Sequence, residues 1–182
     1  MSLKELTWEH HKNAERQEFV KELFGGITPK RYATFLFNQH PQYNLLEVLA
    51  MMHGLVDESI RRAPAIHEDY SELWKEFEPD QPPLLPVVKE YMDHLMSIKD
   101  DADKLMAHVY VRHMGDLSGG QMISKKIPGA GRMYKFKEPV DILKERIRER
   151  CHDGLADEAK IAFEFATKLF QQMSEIDAKN SG

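Results

Sequence analysis

Tyr110-Val111-Arg112-His113-Met114-Gly115-Asp116-Leu117-Ser118-Gly119-Gly120-Gln121 is the stretch on which the reading of this chain turns. It lies inside a run, from about Asp103 to Ile127, whose other residues favour helix. Gly115, Gly119 and Gly120 put three glycines within six positions, where each costs a helix about 1 kcal/mol relative to alanine. Gly115 and Gly119 are four apart and share one helix face. A face without side chains admits close packing by a neighbouring helix, the more ordinary reading of Gly-x-x-x-Gly alone. It also lets something large and flat approach the backbone, and it permits a bend. Asp116 lies directly beside this bare strip.

Working outward, 182 residues suffice for one domain with a real core. A charged fraction of 30% and a hydrophobic fraction of 42% are those of a soluble globular chain. The formal charge of −5 argues against a nucleic-acid partner. Cys151 is the single cysteine, so no internal disulfide forms, and a reducing, cytoplasmic setting is expected. A small residue on a helix face is a better reading of Cys151 than a nucleophile. No signal peptide and no apolar run long enough to span a bilayer is evident, so no membrane partner is expected.

Ser2-Leu3-Lys4-Glu5 has the form of a capping box, which predicts a helix from Leu3 to about Phe24, ended by Gly25-Gly26. Thr28-Pro29 opens a second helix. Pro41 is expected to kink or split it, and apolar spacing then carries it beyond Gly54 to Arg62. A short helix is expected around Asp69 to Phe77, and Glu78-Pro79-Asp80-Gln81-Pro82-Pro83 is a linker too short to separate domains. Further helices are expected over Pro86–Ile98, over the glycine-bearing run, over Pro139–Arg150, and over a final stripe from Ala159 to Met173. Residues 1–182 should therefore form one all-α domain, with 177–182 a frayed tail.

Nine histidines offer metal ligands. Periodicity favours His10, which lies mid-stripe with Leu3, Leu6, Ala14 and Gln17, while His11 falls on the adjacent stripe, one turn before Glu15. Lys4 precedes His11 by seven residues on the same face, and Lys144 and Arg148 form an i, i+4 pair with Arg150 two positions on. Glu145 and Glu149 interleave with that pair, so a solvated charge face is its ordinary reading.

Leu117-Ser118-Gly119-Gly120-Gln121 matches the signature loop of ABC-type ATPases. That class needs a Gly-x-x-x-x-Gly-Lys-Ser/Thr phosphate loop after a strand, and this chain has none. The full run from Tyr110 to Gln121 instead resembles the distal-helix motif of the heme oxygenases, Tyr-x-Arg-x-x-Gly-Asp-Leu-Ser-Gly-Gly-Gln, without a gap. The family's proximal pattern, His-x-x-Ala-Glu followed by acid-Phe, is matched at His11, Ala14, Glu15, Glu18 and Phe19. Its Lys-x-x-x-Arg-x-Arg pattern is matched at Lys144, Arg148 and Arg150. The resemblance covers about residues 3–47 and 107–176. The chain departs at His40, where the family commonly has a distal tyrosine, and at His113-Met114, where it often has Tyr-Leu. His40 and His113 are thereby candidates for tuning the water network or for an alternative ligand.

The resemblance implies a helical bundle with heme b, both substrate and cofactor, sandwiched between a proximal and a distal helix. It implies His11 as the iron ligand, oriented by Glu15. It implies Gly115, Gly119 and Asp116 as the catalytic strip, and Lys4, Tyr110, Lys144 and Arg148 as contacts to the heme propionates. Phe163 and Phe170 match family aromatics near the heme. The implied reaction is ring opening to biliverdin, usually the IXα isomer, with release of carbon monoxide and ferrous iron. The expected electron donor is a small soluble one such as reduced ferredoxin, docking on Lys125, Lys126, Lys144, Arg146, Arg148 and Arg150. A monomer is expected. The competing classes are a non-catalytic heme carrier or sensor on the same frame, and an unrelated helical interaction protein.

Overall fold

A computed structural model describes residues 1–176 in full and the backbone as far as Asn180; the tail expected to fray, 177–182, lies outside the fully described residues. Among the described residues there are ten α-helices, three short 3₁₀ turns and no strand, so the all-α expectation holds.

The first helical stretch is three helices, not one: α1 (Leu3–Leu6), α2 (Trp8–Glu15) and α3 (Glu18–Gly25). Ser2 caps α1 through its side chain as the capping box predicts. The breaks follow from what must be buried. Ala14 and Phe19 are 6% and 0% exposed, yet five residues of unbroken helix would set them roughly 140° apart. The chain turns extended at Gln17 (φ −65°, ψ 142°) and re-aims Phe19, Val20 and Leu23 inward. At the earlier break the buried Thr7 hydroxyl donates back to Leu3 O at 2.9 Å, a local bond that competes with the helical ladder.

α4 (Pro29–Met52) is the central helix, packed against α5 (Ala63–Trp74), α6 (Pro86–Ser97) and α7 (Ala102–Leu117). Thr28 caps it, and of the kink or split expected at Pro41 the split does not occur, since the helix runs on through it. It also stops sooner than expected, at Met52, where Gly54 takes the left-handed conformation (φ 68°) that ends helices. The fully buried Glu47 then reaches the start of α5, accepting hydrogen bonds from the backbone N–H groups of Arg62 and Ala63. A carboxylate there satisfies otherwise unpaired N–H groups and complements the helix dipole. That start explains why α5 begins at Ala63 rather than near Asp69.

The glycine-bearing run is likewise two pieces, α7 and α8 (Gly119–Ile123), parted at Ser118 (φ −111°, ψ −93°). α9 (Val140–Glu149) packs on α7, and α10 (Ala156–Asn180) packs on α2, α3, α6 and α7. The apolar core forms two clusters, one around Leu46, Leu105 and Ala162 and one around Phe19, Tyr32 and Leu36, with Phe165 and Phe170 packed against both.

Candidate active site

The glycines separate cleanly by what a side chain would meet. A Cβ on Gly120 would lie 2.6 and 2.8 Å from the Cδ1 and Cε1 atoms of Tyr134, so Gly120 is a packing glycine. On Gly115 or Gly119 a Cβ would meet nothing within 4 Å, and Gly115 is exposed. Helix packing therefore explains Gly120 and leaves open backbone at Gly115, in the last turn of α7, and at Gly119, the first residue of α8; the break at Ser118 means they do not share one unbroken helix face as expected.

Directly beside Gly115, Asp116 is buried, 5% exposed. The Tyr43 hydroxyl donates to its carboxylate, 3.0 and 2.9 Å from the two oxygens. Burial pushes the Asp116 carboxyl up to about 7. The nearby charges of His113 and Arg62 and the Tyr43 hydrogen bond pull the other way, and Glu47 adds to the rise. A carboxyl poised near neutrality can both give and take a proton. Tyr43 itself is held well above the usual phenol range, by burial first and then by Asp116.

Further residues brace this acid. Arg112 donates to Gln39 and Gln42 of α4 at 3.0 and 2.9 Å and lies over the Tyr91 ring, 4.3 Å from its centroid. His113 Nε2 and Glu47, both fully buried, are 2.8 Å apart. Gln121 in α8 donates to Asp116 O and Tyr134 O at 3.1 and 2.9 Å, bridging the break at Ser118. The phenol on Asp116 was missed in the sequence. The sequence points to His40, one turn before Tyr43 on the same helix, and the three-residue helical spacing is the signal that leads from one to the other. His40 instead packs its ring 5.3 Å from that of His67, and nothing brings it to Asp116.

His11 projects from α2, its ring 5.4 Å from both Trp8 and Phe163 of α10. It is hydrogen-bonded to Glu15 through Nε2. His10 turns instead towards Glu164, with 3.4 Å between Nε2 and Oε1. Phe170 is stacked 6.2 Å from Phe19, and nothing brings it to His11. The expected carboxylate-binding residues come from elements that adjoin. α1 and α7 both pack on the turn at Asp153–Leu155, and α9 packs on α7. Tyr110 is half-buried, its phenol raised by burial, with Cys151, Thr7 and Arg148 alongside. Arg148 is exposed and 3.8 Å from Glu145. Among the described residues Lys4 and Lys144 form no ion pair. Arg146, expected in the donor-docking patch, is instead held by Glu138 at 2.8 and 2.9 Å. Burial raises the Cys151 thiol to about 11, an unreactive state. A cleft between Gly54–Ile60 and α9 contains none of the expected site residues except where Arg150 and Arg146 reach its edge.

Fold and site together define an all-helical protein with a near-neutral buried acid beside an open strip of helix backbone. A family model described as heme oxygenase matches residues 1–172. The heme oxygenase of Rhodella violacea is 27% identical, over 96% of this chain and 86% of that protein. Human heme oxygenase 1 is 26% identical, over 96% and 71%. Among solved structures, heme oxygenase-1 of the cyanobacterium Synechocystis, in complex with heme, superposes with a TM-score of 0.85 at 22% identity, covering 99% of this chain and 94% of that one. The heme oxygenase of Leptospira interrogans gives 0.80 at 25% identity, covering 93% and 98%. The chain belongs to the heme oxygenase family.

Proposed function

We propose that this chain binds heme b and opens its ring oxidatively to biliverdin IXα. Bound heme supplies both the iron that activates dioxygen and the ring that is cut, with carbon monoxide and ferrous iron as the other products. The observation that carries this reading is the open backbone face at Gly115 and Gly119 with Asp116 buried beside it. A carrier has no use for a proton-exchanging acid at that face; a ring-opening enzyme needs one.

His11 would hold the iron, and Glu15 would keep the imidazole oriented through the ring nitrogen not used for ligation. Since Nε2 now meets Glu15, loading requires that contact to pass to the other nitrogen or the ligand to be Nδ1. Gly115 and Gly119 admit a flat group against the backbone without steric cost. Asp116 holds or releases a proton at its carboxyl, with Tyr43 fixing the carboxyl's orientation. Lys4, Tyr110, Lys144 and Arg148 supply cations and a hydroxyl to two propionates, and by seating them decide which ring edge faces Asp116.

Electrons come from a reduced ferredoxin-type protein whose acidic surface meets Lys125, Lys126, Arg148 and Arg150, all exposed. A cytoplasmic monomer fits this picture. Among the described residues no helix is long and apolar enough to cross a membrane. The test is direct. Hemin added to the purified chain should give a Soret band at one equivalent, and a ferredoxin–reductase system in air should bleach it to a bilin spectrum. A stable Soret band under turnover would make the protein a carrier; no band at all would remove heme from its function.

A further inference from the structure

His94 on α6, His108 on α7 and Glu158 on α10 converge away from Asp116 on a single point. His94 Nε2 and His108 Nε2 stand 2.6 and 2.9 Å from the same oxygen, Glu158 Oε1. One donor atom from each of the three residues lies within 4.8 Å of the others. The His94 side chain is 23% exposed while that of His108 is fully buried, so the cluster opens to solvent on one side only. Two imidazoles and a carboxylate are a zinc-type ligand set, too nitrogen-rich for calcium or magnesium.

From this convergence we infer a binding site for a divalent zinc-class cation, held by His94, His108 and Glu158, with water completing a tetrahedron on the exposed side. The carboxylate is ready for it. One oxygen of Glu158 already faces both ring nitrogens, so no rearrangement of the backbone is needed to bring the three donors together. His108 also has the second contact that metal-bound imidazoles use, since its Nδ1 lies 2.7 Å from the Tyr91 hydroxyl. Uptake moves the Nε2 proton of each imidazole to its Nδ1, and on His108 that proton is then donated to the Tyr91 oxygen. Ligand atoms around a bound zinc ion stand about 3.3 Å apart, so each imidazole need withdraw from Glu158 Oε1 by only roughly 0.4–0.7 Å from its present 2.6 or 2.9 Å. The ion would tie α6, α7 and α10 at one point, and its hold weakens in acid because protons compete for the ligand atoms.

The inference stands independently of heme. Zinc is titrated calorimetrically into the full chain and into a His11→Ala chain, which lacks the competing His11–Glu15 pair. One equivalent should bind in both, and the melting temperature should rise with zinc concentration. His94→Gln, at the partly exposed ligand, should keep the fold by circular dichroism and weaken uptake by about 10–100-fold or more. Anomalous scattering at the zinc edge, from wild-type crystals grown with one equivalent of zinc, locates the ion without any variant. Absence of stoichiometric uptake, uptake unchanged in His94→Gln, or an anomalous peak away from Glu158 would each overturn the assignment.

Discussion

Asp116 carries two properties that pull in opposite directions. Its folded-state carboxyl titrates near 7 because burial disfavours the charged form, whereas in the unfolded chain an aspartate titrates near 3.9. Below about pH 4 both states are protonated and the group is neutral with respect to stability. Between about 4 and 7 the folded state holds more protons, so stability falls as pH rises, and above 7 the full penalty of roughly 4 kcal/mol is present. Asp116→Asn removes the ionisation and can still accept from Tyr43. In the heme-free protein it should be clearly more stable than wild type at pH 8 and nearly equal at pH 4.5, by urea midpoints. A stability difference independent of pH would mean that Asp116 does not titrate in this range. Under turnover Asp116→Ala should bind hemin with a near-normal spectrum and make little biliverdin, with Asn retaining more. His11 is tested separately: His11→Ala should weaken or alter the heme spectrum, while His10→Ala, turned towards Glu164, should leave it near wild type. The reverse result would shift the ligand by one residue.

At the scale of elements, the two kinds of glycine in one run give opposite expectations. Gly120→Ala drives a methyl into the Tyr134 ring and should destabilise the fold by about 1–3 kcal/mol. Gly115→Ala meets no neighbour and should stabilise the heme-free protein by up to about 1 kcal/mol while reducing heme affinity or turnover. Thermal unfolding with and without hemin separates them, and loss of stability in Gly115→Ala would place that glycine in the packing after all. The existence of the helices was legible because their apolar stripes are long and regular, as in α6 and α10. Their joints were less so. The breaks at Thr7, Gln17 and Ser118 are imposed by which faces must reach the core, and the start of α5 by a carboxylate fifteen residues earlier in the chain. Local pattern does not carry such distant contacts. The twelve-residue motif marked Gly115 and Asp116, but Tyr43 became visible only once α4 lay against α7.

For the molecule as a whole, the expected propionate rim is assembled from α1, α7 and α9, so its geometry depends on how three elements dock rather than on any one of them. Neutralising Lys144 and Arg148 together removes charge-assisted contacts worth roughly 1.5–3 kcal/mol each where well made. Heme should then seat in more than one rotation, and the bilin product, separated by chromatography, should become a mixture of isomers. A single unchanged isomer from the double variant would put the seating residues elsewhere. The buried carboxyl beside the open glycine face has a further consequence, for evolution rather than for chemistry. Asp116→Asn and Gly115→Ala are both expected to make the empty chain hardier at pH 8, so a laboratory selection for heat resistance alone would enrich them and drift towards an inert protein. On the proposed function, selection on turnover rather than on folding would keep the residues now at those two positions.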